Sequence, residues 1–245
     1  MSPSEQITTS YYQPFQGEGK KITCVFENPT WLEELHQRPV AGVAGSRLCG
    51  LFKILRHMDC QLTKDLKTQL FRRRVCIVNG VRKVSSVSIK RKDYLSLIDD
   101  NQKTLRCAIS NADMIICFGG RAEMALKKVD AGVKYAKTYH LCGRAFNRLV
   151  NLSGLGESYG LPESHLGLVG LIVIAEYLAT WYQQWKSGKE YISFAKFAKP
   201  FQRTRGKVGS GRYVTGHKMR KIDISALLNL NGCSLNCCQS CCNCH

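Results

Sequence analysis

The stretch KITCVFENPTW, residues Lys21–Trp31, decides the fold, because an apolar run ends there in polar residues and a proline. Such a run, bounded by a turn signal, predicts a buried strand at Lys21–Glu27. Similar runs predict three more strands at Arg74–Val78, Met114–Phe118 and Thr138–Leu141. The segments between them read mostly as helix, so we expect an α/β fold. Its predicted form is a three-layer α/β/α arrangement around a central, mainly parallel four-stranded sheet.

Helical patterns fill most of the remaining chain up to residue 187. The predicted helices are Ser46–Met58, Leu62–Phe71, Asp93–Asn111, Arg121–Val129, Arg144–Asn151 and Leu161–Trp185. The segment Val84–Ile89 alternates, which fits either a short extra strand or an irregular loop. Beyond Ser187 the composition shifts to Lys, Arg, Gly and aromatic residues. We therefore expect an α/β domain at residues 1–187 and a basic, Gly- and Cys-rich extension at residues 188–245.

Neither a secretory signal nor a membrane span is recognisable in the sequence, so we expect a protein that is neither secreted nor embedded in a membrane. The first twenty residues lack an apolar core behind basic residues, so they do not resemble a secretory signal. The longest apolar segment, Leu166–Ala175, is interrupted by Glu176 and is too short for a comfortable membrane span. We expect a cytoplasmic, nucleoid or nuclear location, where the thirteen cysteines would be thiols or metal ligands rather than disulfides.

The charge balance favours a polyanion as partner. Lys and Arg number 36 against 18 Asp and Glu, which gives a formal net charge of +18. Basic side chains that neutralise phosphates release condensed counterions, so this excess is typical of nucleic-acid binding. A basic protein with no nucleic-acid role is the alternative. The basic residues flanking Asn79 are Arg72, Arg73, Arg74, Arg82, Lys83, Lys90, Arg91 and Lys92.

Three polar side chains come at or near the ends of predicted strands. Asn28, Asn79 and His140 hold these positions. Parallel sheets bind ligands at the carboxyl ends of their strands, so these side chains should converge. Two amides and an imidazole can grip a small polar ring, and we interpret them as a nucleobase pocket. Each residue also has a structural explanation: Asn28 as a turn before proline, Asn79 as a cap, and His140 as a satisfied buried histidine.

Five ordered segments together resemble one protein family. They are FENPTW (Phe26–Trp31), RPVAGVAG (Arg38–Gly45), VCIVNGV (Val75–Val81), DMIICFGGRA (Asp113–Ala122) and YHLCGRAFN (Tyr139–Asn147). The set resembles the uracil-DNA glycosylase superfamily over residues 22–147. The first segment is similar to the single-strand-selective branch and the second to the iron–sulfur branch of thermophiles.

The resemblance implies a role for each member of the trio. Asn28 would orient the water that attacks the sugar C1′, and His140 would donate a hydrogen bond to uracil O2 as the base leaves. Asn79 would read the base in a pocket, because its amide offers one donor and one acceptor to uracil O4 and N3–H. We expect a monofunctional, monomeric uracil-DNA-glycosylase-like hydrolase that acts on single- or double-stranded DNA, leaves an abasic site and needs no cofactor for catalysis.

The chain also departs from the family pattern. Val40 stands where the family places an aromatic residue under the flipped base. Trp31 could supply that face, the pocket could accept another base, or the fold could persist without activity. The rival function is therefore a catalytically inactive, glycosylase-like nucleic-acid-binding protein. After His140, Leu141 would act as a wedge and Arg144 would meet a phosphate, although this loop differs from the family's His-Pro-Ser pattern.

Further DNA contacts are predicted near the strand ends. Gly119 and Arg121 open the helix after the third predicted strand, where backbone amides at a helix N-terminus favour phosphate. A tight turn explains the same residues equally well. Arg82 and Lys83 follow Asn79 and are expected to contact the DNA backbone.

The end of the chain is dense in possible metal ligands. Thiolates at this density can bind zinc tetrahedrally. A flexible, thiol-rich end without a defined site is the alternative, and an iron–sulfur cluster fits less well because Cys24 has no neighbouring cysteine in the required spacing. The candidate zinc ligands are Cys237, Cys238, Cys241, Cys242, Cys244 and His245.

Overall fold

A computed structural model gives the architecture of the chain and describes residues 8–16, 18–85, 89–142, 146 and 168–198. The chain divides into two compact units. Unit 1 comprises residues 1–46 and 71–140, and unit 2 comprises residues 47–70 and 141–245. Unit 1 contains the sheet and every strand-end residue of the predicted trio.

The protein has a mixed α/β fold with a five-stranded, mostly parallel sheet. The strands are β1 (Tyr12–Gln13), β2 (Ile22–Phe26), β3 (Cys76–Asn79), β4 (Met114–Phe118) and β5 (Ala136–Thr138), in the order β1-β3-β2-β4-β5. Three of the four predicted strands are present near their predicted positions, whereas the fourth, predicted at Thr138–Leu141, lies earlier in the chain and shares only Thr138 with β5. The four strands β2 to β5 pair in parallel. The predicted strand number was wrong by one, because β1 adds an antiparallel edge that is too short to show periodicity.

The central strands form because their apolar side chains are buried on both faces of the sheet. Every residue of β2, β3 and β4 is buried. A parallel sheet covered on both faces needs such continuous apolar runs rather than alternation. One face of the sheet packs into a core that includes Val25, Val78 and Cys117. The carboxyl ends of these strands thereby come together at one edge of the sheet.

The helices of unit 1 are α1 (Trp31–Leu35), α4 (Arg91–Asp99), α5 (Gln102–Ile109) and α6 (Gly120–Val129), and a short 3₁₀ turn spans Arg72–Arg74. The single predicted helix Asp93–Asn111 was wrong, because it breaks into α4 and α5. Asn101 causes the break: its buried side chain donates from Nδ2 to the backbone oxygen of Asn79 over 2.7 Å. The described parts of the predicted Val84–Ile89 segment, residues 84–85 and 89, have no regular secondary structure.

The described part of unit 2 consists mainly of helices. Its helices are α2 (Val43–Arg56, which begins in unit 1), α3 (Gln61–Leu66), α7 (Val169–Lys186) and α8 (Phe194–Ala198), with a 3₁₀ turn at Lys67–Gln69. The hydroxyl of Tyr182 on α7 donates to Asp65 on α3 over 2.9 Å. None of the helices that the structure describes is both long and apolar enough to cross a membrane.

The predicted domain boundary at residues 187/188 falls within a packed segment. The ring of Phe194 on α8 lies 4.9 Å from the ring of Tyr177 on α7, edge to face. The extension therefore continues the packing of α7 at least as far as residue 198. The predicted helix Arg144–Asn151, except for Phe146, and the extension from residue 199 onward lie outside the described residues.

Candidate functional site

The carboxyl edge of the sheet has a topological switch point between β2 and β4. After β2 the chain crosses to β3 on one side, whereas after β4 it crosses to β5 on the other. Loops that diverge in this way leave a crevice outside the strand ends, where open α/β sheets bind their ligands. Glu27 and Asn28 follow β2 at this point, and Gly119 follows β4. The three predicted residues Asn28, Asn79 and His140 therefore lie at the carboxyl edge of the sheet, where such folds bind ligands.

Asn79 ends β3 and is fully buried, with 0% of its surface exposed. Its side-chain Nδ2 lies 3.4 Å from Glu33 Oε1 and 3.5 Å from the backbone oxygen of Ser10. Its Oδ1 has no hydrogen-bond partner among the described residues. An unsatisfied buried acceptor costs about 1–3 kcal/mol. The nitrogen of this amide is therefore hydrogen-bonded within the protein, whereas its oxygen is not hydrogen-bonded to any described residue.

Glu33 is a buried carboxylate that the sequence interpretation missed. It is 5% exposed and accepts hydrogen bonds from the backbone N–H of Thr30 over 2.6 Å and of Val40 over 2.5 Å. Burial raises the pKa of Glu33, and the N–H donors around the carboxylate oppose that rise. The signal was available: Thr30-x-x-Glu33 is a capping box at the start of α1.

Asn28 is half-buried in the loop between β2 and α1. Its side-chain Nδ2 donates to the backbone oxygens of Pro29 over 3.0 Å and Ser85 over 3.1 Å. The amide nitrogen is thus held by the protein, so the amide oxygen is the end suited to accept a hydrogen bond from water. This arrangement suits the positioning of water and does not suit proton removal.

His140 lies two residues beyond β5, beside a glycine that makes room for it. Gly119 has φ +100, and a Cβ added to it would lie 3.2 Å from the Cβ of His140. Burial lowers the pKa of His140, while the charge of Glu27 opposes that shift. A lowered pKa leaves the imidazole neutral near pH 7, and a neutral imidazole can still donate one N–H.

Phe26 links the two sides of the site. Its Cα is the register partner of Asn79 across the β2–β3 pairing. Its ring stacks on Phe118 at 4.6 Å and meets the His140 ring edge-on at 6.1 Å. Phe26 is therefore next to Asn79 in the sheet and in ring contact with His140.

Arg121 forms an ion pair and is not simply available to DNA. Its guanidinium lies 2.5 Å from Glu27 Oε1 and sits over the Tyr94 ring at 5.5 Å. The Tyr94 hydroxyl donates to the backbone oxygen of Glu27 over 3.0 Å. The pair anchors the residue that directly precedes Asn28, so its first effect is to fix the loop after β2.

The predicted base-stacking residues differ in exposure. Val40 is 2% exposed, has φ +57 and donates its N–H to Glu33, so it offers no open face. Trp31 is 59% exposed at the first turn of α1 and keeps its place as a candidate stacking residue. Leu141 is fully buried, which does not suit a side chain expected to enter a DNA groove. Arg144 lies outside the described residues.

Two of the remaining residues predicted to contact DNA, Arg82 and Gly119, form hydrogen bonds within the protein, and for Lys83 the contact stays a prediction. Arg82 donates to Asn101 Oδ1 over 3.1 Å and to Thr104 over 2.9 Å. The backbone N–H of Gly119 donates to the oxygen of Thr138 over 3.1 Å, so that amide is already engaged. Lys83 is exposed and suits a phosphate contact.

The predicted zinc ligands of the C-terminal tail lie outside the described residues. Within the described part of the chain, no group of three or more His, Cys, Asp or Glu side chains is placed to hold a metal ion. No known family model matches the sequence, and no curated protein matches it either.

Proposed function

We propose that the protein is a monofunctional DNA glycosylase that hydrolyses the N-glycosidic bond of uracil, or of a related damaged base flipped out of DNA, and leaves an abasic site. The observation that carries the proposal is the state of Asn79. Its amide is buried and oriented at the carboxyl edge of the sheet, yet its Oδ1 has no partner among the described residues. A purely structural asparagine would gain about 1–3 kcal/mol by pairing that oxygen.

A flipped base supplies what Oδ1 lacks. Uracil presents a ring N3–H that this oxygen can accept, whereas cytosine presents a ring lone pair at the same place. An acceptor facing a lone pair leaves both groups unpaired, at a cost of about 1–3 kcal/mol for each. The site therefore has a physical reason to prefer uracil. Because Asn79 is enclosed here, the base must enter by local opening of the edge.

The neighbouring residues supply the chemistry. Asn28, with its nitrogen held by Pro29 and Ser85, would place the attacking water. His140, kept neutral by burial, would donate to uracil O2 as negative charge develops on the leaving base. Because an amide cannot take the proton from water as a carboxylate does, a slow enzyme is expected.

The wider predictions are consistent with this proposal. Helices α5 and α6 pack against one face of the sheet. We propose that helices also cover the other face, which gives a three-layer α/β/α arrangement. The net charge of +18 suits single- or double-stranded DNA as the substrate. We also propose a monomer in the cytoplasm, nucleoid or nucleus, with zinc bound by the Cys-rich tail and no cofactor needed for catalysis.

A noncatalytic, glycosylase-like nucleic-acid-binding protein is the second candidate. The buried positions of Val40 and Leu141 favour it, because a stacking face and a wedge are both parts of base flipping. Trp31 opposes it, because an exposed aromatic residue three positions after Asn28 can stack on a base.

The test is excision of uracil under single-turnover conditions. Excess protein is incubated with end-labelled single- and double-stranded oligonucleotides that contain one uracil, and abasic sites are then cleaved with alkali. We expect a uracil-dependent product that Asn28→Ala and His140→Ala proteins do not form. Tight binding without product, from a folded wild-type protein, would support the noncatalytic candidate instead.

A further inference from the structure

We propose that Glu33 is a positioning residue, which turns the amide of Asn79 so that the site reads a base only through an acceptor. The bases selected would be those with a ring N–H in place of a ring lone pair. This inference rests on the proposed function, and it adds to that function a residue and a rule of selectivity. Its basis is the contact between Glu33 and Asn79.

The orientation of the Asn79 amide follows from its two neighbours. Nδ2 faces Glu33 Oε1 and the backbone oxygen of Ser10, and both of these are acceptors. Turning the amide over would place Oδ1 against both oxygens, and neither oxygen would then receive a hydrogen bond from Asn79. The carboxylate and the carbonyl therefore fix the nitrogen inward and leave Oδ1 for a ligand.

Glu33 holds this position as a carboxylate. Its Oε2 accepts from the N–H of Thr30, and its Oε1 accepts from the N–H of Val40 and from Asn79. Since each oxygen already faces a donor, a proton on either one would displace a hydrogen bond. Because the pKa of Glu33 is raised, its carboxylate is protonated at a higher pH than an exposed glutamate, and these hydrogen bonds are then disrupted.

An acceptor-only reader has a definite selectivity. Both hydrogens of Asn79 Nδ2 have acceptors within the protein, so the O4 of uracil is not the group that this side chain reads. The ring N3–H is. Deamination of cytosine creates that N–H, and deamination of adenine creates the equivalent N1–H of hypoxanthine. The contact therefore separates each deaminated base from its parent, uracil from cytosine and hypoxanthine from adenine. By itself it does not separate these products from thymine and guanine, which also carry a ring N–H.

The experiment compares Glu33→Gln with Glu34→Gln. Both substitutions remove one negative charge from α1, but Glu34 is exposed and its neighbour Glu33 is buried. For each folded protein, single-turnover excision and equilibrium binding are measured with oligonucleotides that carry one uracil or one cytosine. We expect Glu33→Gln to lower the uracil-over-cytosine ratio about tenfold, the effect of about one lost hydrogen bond, because a neutral amide at position 33 no longer fixes the nitrogen of Asn79 inward. Glu34→Gln should keep the wild-type ratio.

A double-mutant cycle separates positioning from general weakening. In an Asn79→Ala background, Glu33→Gln should change the ratio no further, because there is no amide left to orient. The wild-type ratio should also fall as the pH is lowered into the range where Glu33 protonates, and Glu33→Gln should lack that limb. Thermal unfolding identifies any variant that is not folded, and Glu33→Asp then replaces it, with loss of the ratio expected because its shorter side chain cannot reach Asn79.

The outcomes distinguish this inference from the proposed function. If the protein excises uracil and folded Glu33→Gln keeps the full ratio, the inference is wrong and the glycosylase proposal stands. If nothing is excised but binding prefers uracil and loses that preference in Glu33→Gln, the inference holds on a noncatalytic protein. If neither excision nor binding distinguishes uracil from cytosine, both fail.

Discussion

The two ends of the sheet in unit 1 differ in how their polar groups are paired. At the amino end, Thr23 donates from Oγ1 to the oxygen of Ala108 over 2.7 Å, and the N–H of Lys21 donates to Asp113 over 2.7 Å. At the carboxyl end, Asn79 Oδ1 is enclosed without a partner among the described residues, and burial lowers the pKa of His140.

This difference indicates which end is shaped for stability and which for a ligand. Buried polar groups in proteins are almost always paired, so an unpaired one marks a place where stability has been given up. Breaches of local rules are expected at functional sites. The carboxyl end contains such a breach and lies at the switch point of the sheet. If the contrast is real, substitutions at the carboxyl end should change activity and substitutions at the amino end should change stability.

The largest effect is expected from His140. Replacing it by Ala should lower single-turnover uracil excision by about 10²–10³, because a preorganised donor to the leaving base is lost. His140→Gln keeps an N–H donor near the same place and should recover part of that loss. Equal excision by wild-type and His140→Ala proteins would assign His140 a structural role like that of the amino end.

Val40→Phe should destabilise the protein by about 1–3 kcal/mol in urea unfolding, because the added ring overpacks a buried position. Val43→Phe is the matched control, since Val43 is exposed in the same unit and should tolerate the change. A faster excision rate with unchanged stability would instead mean that Val40 faces the base and lacks only the ring.

Thr23→Val should lower the free energy of unfolding by about 1 kcal/mol and leave uracil excision unchanged. The substitution keeps the shape of the side chain and removes the hydroxyl that donates to Ala108. Urea unfolding and single-turnover excision measure the two quantities on one preparation. A marked loss of excision at full stability would show that the amino end also serves the chemistry.

Arg121→Gln should produce the smallest effect, a rise in the pKa of His140. Without its ion pair, Glu27 attracts the protonated imidazole more strongly. Because the pKa of folded His140 is lowered, the unfolded chain binds the proton first, and wild-type stability should fall as pH drops below about 6.5. Arg121→Gln should weaken that fall. An NMR titration of His140 that shows no rise would remove Glu27 from its surroundings.

Sequence patterns were sufficient to predict the strands that position the site, but not the hydrogen bonds between its side chains. Apolar runs that end in polar residues predicted four strands and the edge where Asn28, Asn79 and His140 lie. They could not reveal β1, whose two residues are too few for any period. They also could not show that Asn101 divides a helix, because that break depends on a hydrogen bond to a residue 22 positions away.

The side chains of the site were harder to predict because their partners are distant in sequence. Arg121 was assigned to phosphate, but its nearest partner is Glu27, which lies 94 positions earlier. Glu33 reaches Asn79 across 46 positions. The capping box at Thr30 and Glu33 was visible in the sequence, but nothing local indicates that the same carboxylate also holds Asn79.

We propose that the carboxyl end of the sheet, through Asn79, recognises and releases uracil. The most direct measurement compares the alkali-labile product formed by wild-type, Thr23→Val and Asn79→Ala proteins from one uracil-containing and one cytosine-containing oligonucleotide. We expect a uracil-specific product from the first two proteins and a loss of about hundredfold or more, with no remaining base preference, in Asn79→Ala. Undiminished, uracil-specific product from folded Asn79→Ala would contradict it.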